Sequence, residues 1–128
     1  MKNSLRIKRE HWSDVTDTPH FIVTLIYQDN AYSCDDIYFD DLHNTISELQ
    51  TLAQKRNGCV ELDGGFRFKL LIASTSPGGL EFKFKVESGA EFPGKLSLEG
   101  YFAVDGENTQ HVITALVKLF RDGEEFTL

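Results

Sequence analysis

Basic residues are missing from a long internal stretch. No Lys or Arg lies between Arg9 and Lys55, whereas Glu10, Asp14, Asp17, Asp29, Asp35, Asp36, Asp40, Asp41 and Glu48 all do. The whole chain carries a formal net charge of −7. That balance repels nucleic-acid phosphates and anionic lipid, so a basic protein partner is expected, and neither nucleic acid nor a membrane surface is. Cysteine is also scarce: Cys34 and Cys59 are the only two, without CxxC or metal-ligand spacing. A domain with its own core does not require a disulfide, so reduced thiols are expected. No stretch approaches the ~20 apolar residues of a membrane span, and residues 1–6 lack the apolar run of a signal peptide. The expected compartment is the cytoplasm.

Chemistry-bearing motifs are equally sparse. Gly64-Gly65 and Pro77-Gly78-Gly79 match neither phosphate-cradling glycine pattern, and no serine or cysteine sits in a nucleophile elbow. The paired acids Asp35-Asp36 and Asp40-Asp41 lack the central glycine and terminal glutamate of a calcium-binding loop. Four histidines are present; His11 with Asp14, or His20 with Asp17, would be the pairs able to act as a base and its orienting carboxylate. The expectation is no catalytic residue, no cofactor and no metal.

What the chain has in abundance is alternation. Leu80, Phe82, Phe84 and Val86 alternate with Glu81, Lys83, Lys85 and Glu87. Side chains of a strand point to opposite faces in turn, so this run makes one dry and one wet face. Residues 66–72 and 96–104 repeat the pattern, and the wet face should carry Arg67, Lys69, Lys83, Lys85, Glu81 and Glu99. Leu5 and Ile7 mark a short first strand. His20–Tyr27, β-branched and aromatic, reads as a strand buried on much of both faces, with a tight turn at Asp29-Asn30. The return strand is interrupted at Cys34-Asp35-Asp36, where adjacent acids predict a bulge or an exposed edge.

Asp40-Asp41 stands where a helix needs its N-cap, and Leu42, Ile46, Leu49 and Ala53 follow on one helical face. Asn57-Gly58 supplies the expected left-handed stop. Gly64-Gly65 suggests a primed two-residue hairpin turn. Asn108 or Thr109 would cap a second helix with Val112, Ile113, Leu116, Val117, Leu119 and Phe120 on its apolar face, ended by Asp122-Gly123. The remainder, residues 124–128, reads as a tail. The expectation is a single α+β domain over residues 1–128, in the order β-β-β-α-β-β-β-β-α. Its antiparallel, strongly twisted sheet should have about six to seven strands, with two helices packed on one face.

These pieces resemble the WapI-like immunity proteins of bacterial polymorphic toxin systems. The matching segments are residues 4–10, 21–26, 40–56, 80–86 and 96–120: a charged first strand, an apolar second strand, an acidic entry to one helix, a phenylalanine-rich meander and a C-terminal helix. The resemblance implies a non-enzymatic protein that neutralises a basic, nuclease-type toxin domain; a monomer or weak homodimer is expected. Asp35, Asp36, Asp40 and Asp41 would steer that partner, with Tyr32 and Tyr38 as aromatic anchors beside them. The rival readings are a small hydrolase or nuclease using His20 or His11 with nearby carboxylates, and a ligand-binding or assembly module.

Overall fold

The computed structural model describes residues 3–11, 19–65, 67–75, 78–87 and 97–128. Its elements run β1 (Ser4–Arg9), β2 (His20–Tyr27), β3 (Asn30–Tyr38), α1 (Leu42–Lys55), β4 (Cys59–Asp63), β5 (Phe68–Ser74), β6 (Leu80–Glu87), β7 (Ser97–Val104), α2 (Thr109–Asp122) and β8 (Phe126–Thr127). The α+β class and the order of elements are those expected, with one addition. The segment read as a tail contains β8, which pairs with β1 through Phe126↔Ile7 and Thr127↔Arg6.

The strands form two four-stranded antiparallel sheets, ordered β3-β2-β1-β8 and β4-β5-β6-β7. Their division falls at α1, which leaves the bulged β3 at an edge of the first sheet and starts the second with β4. Every apolar residue of the alternating run on β6 is buried: Leu80, Phe82, Phe84 and Val86. On β2 the expectation holds for one face. Phe21, Val23, Leu25 and Tyr27 are buried, and His20, Ile22, Thr24 and Ile26 on the other face are half-buried.

Aromatic rings join the sheets and helices into one core. Tyr27 of β2 meets Phe84 of β6 edge-on at 4.9 Å, Phe82 of β6 stacks on Phe126 of β8, and Phe21 of β2 receives Phe120 of α2 edge-on. The helices pack against each other, α1 against β4 and α2 against β1 and β8. Gln110 Nε2 of α2 donates to the Ala53 carbonyl near the end of α1 (2.9 Å).

Three turns differ from their sequence reading. The β2–β3 turn is Gln28-Asp29, not Asp29-Asn30. Asn30 pairs with Tyr27, and both central residues take positive φ (49° and 66°), as a primed turn requires. Helix α1 ends on Arg56 (φ 53°), ahead of Asn57-Gly58. In this left-handed conformation the Arg56 guanidinium is bonded twice, Nε to the Ala53 carbonyl and Nη1 to the Gly78 carbonyl. The Gly64-Gly65 link is longer than two residues: the ladder stops at Asp63↔Lys69, and Gly64 N–H donates to the Phe68 carbonyl. Only Gly65 has positive φ. Gly64 is glycine for closeness, since a Cβ there would stand 2.8 Å from Ile37 Cγ2 and 2.9 Å from the Phe68 carbonyl oxygen.

Candidate partner-binding edge

The acidic segment follows from an irregularity in β3. Phe21 pairs with Ile37, but Val23 pairs with Cys34, so Asp35 and Asp36 together face the single residue Ile22. This is a β-bulge on an edge strand, and Asp36 takes its left-handed position (φ 56°). Both features expected of Cys34-Asp35-Asp36 are present. A bulged, charged edge resists pairing with a stray strand and leaves its carboxylates pointing into water.

The four aspartates have different duties. Asp36 Oδ1 lies 2.7 Å from His20 Nδ1, and the Asp36 carbonyl accepts from Arg67 Nη2 at 2.9 Å. Asp41 is the N-cap of α1, its carboxylate accepting from Asn44 N–H. Asp40 accepts the Tyr38 hydroxyl at 2.9 Å. The Asp35 carboxylate has no partner among the described residues. All four residues are exposed.

The two tyrosines part company. Tyr38 is 43% exposed, and its bond to the negative Asp40 raises its pKa above the ordinary phenol value. Tyr32 points inward. Its hydroxyl donates to the Arg67 carbonyl (2.7 Å) and reaches the Glu87 carbonyl (3.3 Å), tying the first sheet to the ends of β5 and β6. Burial first, then the neighbouring Cys34, pushes its pKa up, against an opposing pull from Arg67. Tyr32→Phe should therefore lose about 1 kcal/mol of unfolding free energy at neutral pH. Because the folded-state pKa is raised, the hydroxyl's contribution is intact below about pH 10 and disappears as pH climbs above it. Urea unfolding at neutral and alkaline pH checks both halves. A variant as stable as the wild type at neutral pH would show that the hydroxyl joins nothing.

Asp36, Tyr38, Asp40, Asp63, Gly64, Gly65 and Arg67 line an open cleft of about 440 Å³. Three carboxylates, one guanidinium and an exposed ring are its chemical content. His20 sits at its margin, with its ring 5.7 Å from that of Tyr38. Sequence reading offered Asp17 as its companion, and Asp14 for His11; both aspartates lie outside the described residues. The His20–Asp36 pair was missed because it depends on the bulge. His11, His43 and His111 are exposed, and among the described residues no serine, threonine or cysteine lines the cleft.

Cys34 and Cys59 are free thiols. Among the described residues no group of three or more His, Cys, Asp or Glu is placed to hold a metal ion, and no helix is long and apolar enough to cross a membrane. Comparison with protein-family models, with curated proteins and with solved structures finds no match to this chain.

Proposed function

We propose that this protein is a non-enzymatic inhibitor of the immunity type, acting in the cytoplasm on a basic, nuclease-type toxin domain that it binds through the β3 edge. The observation that supports this reading is the bulged edge strand. It sets Asp35 in water and Asp36 and Asp40 around an exposed Tyr38, in a chain of net charge −7. Charge of one sign along a rim speeds encounter with a partner of the other sign, and a nearby aromatic adds contact area once the partner has docked. The hydrolase reading gains one feature, the His20–Asp36 hydrogen bond. Among the described residues the cleft lining adds no serine, threonine or cysteine to that pair.

Asp35 gives the cleanest test, because its carboxylate has no part in the cap or in the His20 contact. The partner is sought as the toxin domain encoded beside this chain's gene. Co-expression should restore growth of cells making that domain. Asp35→Lys should then slow association roughly two- to five-fold, with a flatter dependence on salt, while leaving the unfolding transition in place. Stopped-flow binding at two ionic strengths measures it. An on-rate identical to wild type would remove this edge as the epitope, and failure to protect cells would remove the immunity reading itself.

A further inference from the structure

Among the described residues only two large hydrophobic side chains are exposed, Tyr38 and Tyr101. Tyr38 belongs to the acidic cleft. Tyr101, 55% exposed, stands on the outer face of the second sheet, and its hydroxyl has no hydrogen-bond partner among the described residues. Strand register places Leu71, Lys83 and Tyr101 side by side in one row across β5, β6 and β7, and Lys69, Lys85 and Glu99 in the next. The face is hollowed there into an open depression of about 510 Å³. Small-molecule sites of that size combine apolar walls with a few polar groups that fix orientation.

The charges on this face are unevenly satisfied. Lys69 and Lys85 are direct cross-strand neighbours, an arrangement that like charges destabilise. Lys85 is relieved by Glu99 at 3.6 Å and Glu87 at 4.0 Å, and Lys83 by Glu81 at 3.4 Å. Lys69 has Asp63 as its other cross-strand neighbour but forms no ion pair with it or with any other described residue. It therefore offers an ammonium to an incoming anion next to a floor made of Leu71, the Tyr101 ring and the aliphatic stems of the lysines. Glu61 and Glu99 at the sides would repel a ligand carrying many negative groups.

We infer that this hollow binds a small amphipathic monocarboxylate, with its carboxylate on Lys69 and its apolar body across Leu71 and Tyr101. None of the residues lining it lines the acidic cleft, so the inference is independent of the partner-binding reading. The test is a titration of the isotope-labelled full chain with phenylbutyrate and, separately, with its neutral counterpart phenylbutanol, followed by amide chemical shifts. Phenylbutyrate should give saturable shifts at Leu71, Lys83 and Tyr101, and Lys69→Gln should weaken its binding about three-fold. Phenylbutanol should bind the wild type no more tightly than phenylbutyrate binds that variant. If Lys69→Gln disturbs the fold, Tyr101→Ser provides the comparison, and it too should weaken binding. No saturable shift up to about 10 mM, shifts centred on another surface, or equal affinity for the alcohol would each overturn the inference.

Discussion

Replacing Phe21 by alanine should lower the unfolding free energy by about 3–5 kcal/mol. Phe21 is completely buried on β2. Its ring receives the edge of Phe120 at 5.7 Å and lies against Phe39 at 5.6 Å. Truncation removes a strand's contact with α2 and with the residue that follows β3. The cavity left behind is bounded by rings on separate elements, which cannot all close in without shifting backbone. For a domain whose whole stability is about 5–15 kcal/mol, that loss removes a large part of the margin. Urea unfolding of wild type, Phe21→Leu and Phe21→Ala measures it. Leucine should recover about half of the loss, since it refills much of the volume without the edge-to-face contacts. A loss below about 1.5 kcal/mol for alanine would mean that this ring cluster does not join β2 to α2 as described.

Gly100→Ala should cost about 2–3 kcal/mol, although alanine ordinarily suits a strand better than glycine. Gly100 lies opposite Phe84 in the β6–β7 ladder. An added Cβ would stand 2.5 Å from Tyr27 Cε2 and Cζ and 2.6 Å from Phe84 Cζ. The Tyr27 ring occupies the space a side chain would take, and its hydroxyl accepts the Tyr101 N–H at 3.3 Å. That bond anchors the ring from the far side, so it cannot swing away without leaving a backbone donor unpaired. The prediction is therefore a coupled one. In a Tyr27→Ala background the same glycine substitution should cost less than about 1 kcal/mol, because the Tyr27 ring is gone and the Phe84 ring, 2.6 Å from the added Cβ, can shift into the space it leaves. Simple additivity of the two losses, measured in a double-mutant cycle, would refute the steric account.

How far the chain could be read in advance is best seen at β3. The adjacent acids after Cys34 indicate a bulge or an edge, and the structure has both. The consequence of the bulge was not readable. A hairpin turning at Gln28-Asp29 pairs Tyr27 with Asn30, and continued without interruption it would set His20 against residue 37. The extra residue sets His20 against Tyr38 instead, and Asp36 comes within 2.7 Å of its imidazole. A one-residue change in register decides which side chains meet, and no local pattern records it. Tyr32 and Tyr38 show the same divide. Both occur beside acids in the sequence, yet one hydroxyl binds the backbone of the second sheet and the other faces water with Asp40.

By itself the sequence determined the character of each segment: which strands alternate, where α1 and α2 run, which faces are dry, and that one long stretch holds no Lys or Arg. Those properties are local, because a period of two or of 3.6 belongs to neighbouring residues and survives whatever the segment packs against. Tertiary structure alone decided that the strands divide into two sheets and that residues 126–127 complete the first of them. It also decided that Tyr27 fills the place of a side chain at Gly100, and that His20 finds Asp36. Each of these joins residues far apart in the chain, and contacts of that kind are selected by how the whole core closes.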